Sequence, residues 1–455
     1  MEIERRTIDF IPEAERYGKE RDLFPVWFGA NVNLTSLVTG ALLVSMGLNL
    51  FWSVFSIVVG VSIGTILVAS HSVQGPRLGI PQMIQSRAQF GVLGAIFPML
   101  FVMFIYFGFS VSNTLLAAQA VSGVVAFPRS VSIVVFTLLS FVIALYGYKL
   151  IHDTQRWLTW IACAIYAVVF VIVLSNPPSL DNWLPITTKP ALVFAGIGVT
   201  CTFALSFAPY VADYSRYLPS NVSSKKVFWY TFAGIAVALF AMMLLGALLA
   251  VQIPTFSDNS GGSLAVLFGS FSPILYVLIV YALLCINVFN FYGAFMAVVT
   301  TIQPFGNMRF GSTQRAVVMI AVAIANAVLS YFGDGDFSTM FLNFIFLMSY
   351  ALIPWTAINL VDYYVLRRGQ YSVADIFDPD GIYGRYNPIA IGAFVFAVLA
   401  EIPFISMYYY TGPVAAYLGN IDLAWIVGVP VGACLYYFPM RARLSRTGPV
   451  QTATR

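Results

Sequence analysis

The chain has 455 residues, 60% of them hydrophobic and only 9% Asp, Glu, Lys or Arg, where a soluble domain carries roughly 25% charged residues. A formal net charge of +4 suggests little by itself, and no nucleic-acid partner is expected. Apolar runs long enough for a hydrocarbon core of about 30 Å recur from Trp27 to Met440, which excludes a soluble fold and predicts an all-α integral membrane protein.

Residues 1–25 are charged rather than apolar, which argues against a cleavable signal peptide and predicts a cytoplasmic segment. A single transmembrane domain is expected over 26–440. Its twelve apolar runs lie at roughly 26–49, 51–70, 93–126, 131–148, 157–175, 191–211, 227–252, 272–301, 315–332, 338–365, 388–410 and 421–440. A cytoplasmic tail, 441–455, follows. The stretch 75–84 between the second and third runs holds too many Pro and Gly to span and is expected at the cytoplasmic interface. With the N-terminus inside, 21 of the 23 basic residues fall in inside segments, and only Arg129 and Lys189 fall outside. That is the bias of the positive-inside rule. One missed or invented span would put every later loop on the wrong side. Twelve transmembrane helices with both termini cytoplasmic, in the inner membrane, is therefore the expected topology.

The first and sixth runs are interrupted. The first places Gly29, Asn31, Asn33, Thr35 and Ser36 where an ordinary span carries Leu and Val, and the sixth places Ser206 just ahead of Pro209. Proline removes a donor and clashes with the carbonyl four residues back. In hydrocarbon, the backbone so freed is tolerated only where it faces protein or a wet cavity. Gly and Pro are also common in ordinary transmembrane helices, but two breaks five spans apart resemble the paired interruptions of transporters built from inverted halves.

In the third run Tyr106, Phe109, Ser110 and Asn113 share one helical face, and in the eighth Asn287 and Asn290 are neighbours. An amide offers an acceptor and two donors, suited to the alternating edge of a nucleobase, and aromatic rings supply flat walls. The alternative is that Asn113, Asn287 and Asn290 are interhelical glue. Gly60 with Gly64, and Gly428 with Gly432, read as helix-packing spacings. Glu401 lies inside the eleventh run, where a carboxylate is costly; it is a candidate for cation coupling, or a buried neutral or paired group. Asp213 and Arg216 end the sixth run as a gate or as a solvated helix end. Cys163, Cys201, Cys285 and Cys434 lie in apolar runs and read as buried small hydrophobes. His71 and His152 show no ligand spacing, so no metal and no resident cofactor are expected.

Three stretches in order resemble the nucleobase and cation symporters of the purine and cytosine permease type: 20–33 (ERDLFPVWFGANVN), 79–91 (GIPQMIQSRAQFG) and 212–219 (ADYSRYLP). The resemblance covers most of the chain. It implies a LeuT-type fold of five plus five inverted helices, the first repeat over about 26–175 and the second over about 191–365, with two extra helices over about 388–440. It also implies import of cytosine, a purine or a related compound driven by H⁺ or Na⁺. Carried onto this chain, it places the stacking rings at Phe109, where relatives often have Trp, and at Phe207. The helix-three amide falls at Asn113 and the paired polar positions at Asn287 and Asn290; from the interrupted spans themselves, Ser206, Asn33 and Thr35 are added as candidate substrate contacts. The coupling ion would meet the broken first helix near Gly29, with Asn290 or Glu401 contributing. The stretch 285–299 has no Ser or Thr, which leaves H⁺ slightly ahead of Na⁺.

The leading reading is thus a symporter that works by alternating access, with a small nucleobase and the bilayer as its partners. No P-loop suggests an ATP-binding subunit. A carrier of hydantoin, allantoin or a vitamin precursor with Na⁺ coupling is the alternative. An intramembrane enzyme lacks any catalytic constellation in the spans, and a passive channel would never concentrate its substrate.

Overall fold

The computed structural model describes residues 9–122, 128–146, 148–185, 188–302, 312–333 and 335–447. The end of the third predicted run, 123–126, and the tail beyond 447 lie outside the described residues. Each apolar run carries helix: α1 (Leu23–Asn31) and α2 (Leu34–Ser45) in the first, then α3 (Leu50–Ser72), α4 (Ile96–Ser122), α5 (Arg129–Tyr146) and α6 (Tyr148–Ser175). The sixth run holds α7 (Pro190–Leu205) and the short α8 (Val211–Ser215). After it come α9 (Ser224–Gln252), α10 (Ser272–Ile302), α11 (Ser312–Gly333), α12 (Phe337–Leu360), α13 (Pro388–Glu401) and α14 (Ala424–Thr447). Among the described residues seven helices are long and apolar enough to cross a membrane, or eight when the bent α1 and α2 count as one.

Several boundaries differ from the sequence reading. Helix α1 starts inside the expected N-terminal segment, and α14 runs past 440 into the expected tail. The run at 388–410 is helical only to Glu401, because Pro403 closes it in a 3-10 turn that leads into a two-stranded hairpin pairing Ser406 with Thr411 and Met407 with Tyr410. The interfacial stretch after α3 is not a surface loop. It folds into short helices whose Gln82, Gln85, Ser86, Arg87 and Gln89 are all buried, since each short helix leaves backbone groups that only protein can satisfy here.

Two packing groups account for most helix contacts. One contains α1, α2, α3, α7 and α9; the other contains α4, α5, α10 and α11. Helix α12 touches both through α7 and α4, and α13 and α14 pack on α12 and on each other. With lipid as solvent, close approach of backbones takes the place of a hydrophobic drive. A methyl on Gly60 or Gly64 of α3 would run into the backbone of Ile197 and Cys201 on α7, and one on Gly246 of α9 into Leu37 of α2. The packing reading of Gly60 and Gly64 thus holds in the geometry. A methyl on Gly428 of α14 would meet the Glu401 carboxylate, whereas one on Gly432 would reach Pro354 only at ordinary contact distance.

Candidate functional site

The site is built around the break between α1 and α2, whose axes diverge by 61°. Val32 and Asn33 leave the helical region, with Asn33 extended at φ −147°. Asn33 stitches the two halves: its Oδ1 accepts from the Ser36 amide at 2.9 Å and its Nδ2 donates to the Ala30 carbonyl at 2.8 Å. This is an N-cap, and it commits the amide to backbone. The second interruption is gentler. Helix α7 stops at Leu205, Ser206 turns its hydroxyl back onto the Phe203 carbonyl at 2.7 Å, and a 3-10 turn over Ala208–Tyr210 hands the chain to α8. Its axis is not bent beyond 40°.

Between these breaks the face predicted on α4 meets its partners. Thr35 Oγ1 donates to Asn113 Oδ1 at 2.9 Å, so the amide nitrogen of Asn113 is left to point elsewhere. Phe109 lies edge-on to Phe203 of α7 and to Phe344 of α12, at 5.8 and 5.2 Å between ring centres. Phe207 packs edge-on to Trp27 of α1 at 5.9 Å. Tyr106 stacks on Tyr210 at 5.8 Å, 25° from parallel, and Gly293 of α10 lies against the Tyr106 ring. Edge-to-face and offset pairs of this kind are the favoured aromatic geometries. The Ser110 hydroxyl and the Asn290 Nδ2, on the same α4 to α10 side, are buried without hydrogen-bond partners, as is Asn31 Oδ1. Unmet polar groups in an apolar interior cost about 1–3 kcal/mol each, so they mark where a polar guest would be stabilised.

Asn287 stands apart from this group. It is fully buried, and its Nδ2 donates to Thr114 Oγ1 at 3.3 Å and Ser140 Oγ at 3.1 Å. Asn326 of α11 reaches the same Thr114 Oγ1 at 3.1 Å and Thr137 Oγ1 at 3.0 Å. These bonds tie α4, α5, α10 and α11 together, which is the interhelical-glue alternative. Glu401 is also remote. It lies where α12, α13 and α14 meet, against Gly428 and Ile353, and does not join the Gly29 neighbourhood.

A cavity of about 100 Å³ opens on the other side of the first break, between α1, α2, α6 and α10. Gly29, Asn33, Thr159, Tyr166, Ala282 and Cys285 are among its walls. Gly29 is needed there, because a Cβ would sit 2.8 Å from Thr159 Cγ2. The cavity is therefore adjacent to the aromatic box and not continuous with Asn113.

A second polar cluster lies at the end of α12. Asp362, in the π-turn that ends α12, is fully buried. It accepts from Tyr371 at 2.7 Å, Tyr436 at 2.8 Å, Gln89 at 3.0 Å and Arg367 at 3.2 Å. Gln74 donates to Asn359 at 2.8 Å, and His71 stacks on Trp355 at 4.8 Å. The Gln82 amide donates to Asp213 at 2.8 Å. Arg216 is 3% exposed, so the end of α8 is packed and not a solvated terminus. Sequence reasoning missed Phe344, Asn326 and Asp362. Asn326 was visible as a lone amide in an apolar run, whereas nothing marked Phe344 among the many Phe of α12. All four cysteines are free; Cys201 and Cys285 are buried as expected, whereas Cys163 is only partly buried and Cys434 of α14 is exposed, contrary to their reading as buried.

Broken helices, an amide set among rings and a bundle with two packing groups define a substrate-translocating membrane protein. The chain belongs to the family of permeases for cytosine/purines, uracil, thiamine and allantoin, whose model matches residues 10–428; it is a permease and not an enzyme. It is 48% identical over 451 residues to YxlA of Bacillus subtilis, provisionally named a purine-cytosine permease, with 99% of each chain covered. It is 26% identical to the purine-cytosine permease fcyB of Emericella nidulans, covering 96% of this chain and 88% of that one. Its fold is that of Mhp1, a nucleobase-cation-symport-1 family transporter. The closed form with bromovinylhydantoin bound gives a TM-score of 0.75 at 17% identity, covering 98% of this chain and 97% of that one. The inward-facing form gives 0.76, covering 98% and 96%.

Proposed function

We propose that the protein imports a nucleobase, cytosine or a purine, by H⁺ symport across the cytoplasmic membrane. Twelve spans would form two inverted sets of five with α13 and α14 added, and both termini would lie in the cytoplasm. The observation that carries this reading is the 61° break beside an amide held by Thr35 among Phe109, Phe203 and Phe207. Asn113, Asn290 and Ser110 would read the polar edge of the base, and Phe109 and Phe207 would cover its faces, with Thr35, Asn33 and Ser206 fixing the backbone around it. Asn287 would support α4 from behind. Alternating access would expose this midplane site to each side in turn as one packing group rocks against the other. The ion gradient would supply the work, so no ATP-binding subunit would be required.

The choice of H⁺ rests on the cavity at Gly29. Its α10 wall is Ala282, Leu283, Cys285 and Ile286, which offers no hydroxyl, and the Asn33 amide is engaged with backbone. Sodium coupling with a hydantoin, allantoin or vitamin-precursor substrate is the second reading, favoured by the Thr159 hydroxyl beside Gly29. Uptake of labelled cytosine, hypoxanthine and adenine into energised vesicles tests both. Accumulation abolished by a protonophore, with Asn113→Ala and Asn290→Ala inactive but normally inserted, is expected. Wild-type uptake by both variants would remove the site assignment, and collapse by a sodium ionophore alone would replace H⁺ with Na⁺.

A further inference from the structure

We propose that the coupling proton is held by Glu401, in a carboxyl pair with Asp422 whose state is read by α12 through Tyr350. The proposal rests on H⁺ symport as argued above. Glu401 is fully buried, and neither of its carboxylate oxygens has a hydrogen-bond partner. A lone carboxylate within the bilayer costs several kcal/mol even after relaxation. Unpaired, such a group keeps its proton. Among the described residues its surroundings offer no cation: Ile353 of α12 and the bare Cα of Gly428 of α14 border it, and the ionisable group that acts on it is another acid, Asp422. Helix α13 has 14 residues, about 21 Å at 1.5 Å per residue, shorter than the hydrocarbon core, so its end at Glu401 stays within membrane depth.

The two acids are not equivalent. Asp422, 1% exposed, accepts from the Tyr350 hydroxyl at 2.7 Å, the Ser406 amide at 2.7 Å and the Ala424 amide at 3.1 Å. Three donors favour its charged form, and none serves Glu401. The Ser406 amide on Asp422 and the Leu423 amide on the Phe404 carbonyl bring the loop of Asp422 to the end of α13; two like charges in one apolar pocket are costly, so in the proposal Asp422 carries the charge and Glu401 the proton. The proton would come from water on the outer side, where the hairpin over 406–411 is expected, form one O–H bond on Glu401, and leave to water on the inner side. The readout is mechanical. Tyr350 belongs to the helix that places Phe344 edge-on to Phe109, so loss of the proton puts a second negative charge beside the Tyr350 anchor and biases the helix that walls the substrate.

The groups facing Glu401 are thus Asp422 from the loop and Tyr350 from α12, with none from α14. Glu401→Gln mimics the protonated acid and preserves the shape. Reconstituted into liposomes, it is expected to exchange labelled base for unlabelled base at near wild-type rate, while uptake driven by an inward pH gradient falls at least tenfold. Asp422→Asn provides the independent arm. Without the neighbouring charge Glu401 releases its proton more readily, so the alkaline limb of uptake moves to lower pH. Gradient-driven uptake by Glu401→Gln at wild-type level, or an unmoved pH profile in Asp422→Asn, would overturn the proposal. Wild-type uptake that ignores a pH gradient and follows sodium would instead remove the H⁺ reading on which it rests.

Discussion

Asn113 and Asn287 are the same residue type on adjoining apolar helices, and the structure gives them opposite work. Asn113 spends only its oxygen, on Thr35, and keeps two N–H donors. Asn287 spends its donors on two hydroxyls inside the α4, α5, α10 and α11 group. Residue type made both visible in the sequence, but partner identity depends on helix rotation, which spacing along one helix does not set. The consequence is separable by experiment. Asn113→Ala should weaken substrate binding about 5- to 150-fold, the range of a lost buried hydrogen bond of about 1–3 kcal/mol, with little change in melting temperature. Asn287→Ala should show the reverse: interhelical side-chain bonds in membranes average about 0.6 kcal/mol, so losing two lowers the melting temperature by a few degrees and leaves the substrate KM unchanged. Competition binding beside thermal melts of the purified variants distinguishes the two, and a large KM change in Asn287→Ala would return it to the substrate site.

At the scale of elements, the run pattern was legible because twenty apolar residues in a row have one solution in lipid. The first break was legible too, since Gly, Asn and Ser in sequence spoil a helix locally. The burial of the stretch after α3 was not. Its glutamines look like surface residues until the partners Asn359, Asp362 and Tyr371, nearly three hundred residues later, come into contact. Small residues at helix crossings lie between these cases, since spacing suggested contact but not the partner. Gly64 packs against α7, where Ala204 Cβ would stand 2.8 Å from an added Cβ. Gly64→Leu should therefore force α3 from α7, and detergent-solubilised protein should lose its monodisperse peak on size exclusion. Gly392, with open space around it, should accept Ala with no effect and serves as the control.

For the whole molecule, orientation follows from where charge can be left. Arg and Lys resist transfer across the membrane, and 21 of 23 fall on one side of the twelve-span map. The twelve-span map also requires the segments it puts on one side to lie together at one end of the bundle. Residues 9–22, the turn after α3, and the segment from Asp213 to Ser223 come together through Ile11 to Gly79, Tyr17 to Tyr217, Glu13 to Ser220 and Glu20 to Ser223, as segments on a common side must. Asp362 gathers Gln89, Arg367 and Tyr436 on that side as well. The hairpin with Tyr408 and Tyr409, 76% and 75% exposed, is expected on the other. In a variant lacking the native cysteines, Cys in place of Tyr409 should react with a membrane-impermeant maleimide in intact cells. Cys in place of Tyr17, which is 69% exposed, should react only after permeabilisation. The opposite pattern would invert the protein, and labelling of both in intact cells would mean an even number of spans between them. In either case the charge map, and with it the outer entry of the proton, would have to be redrawn.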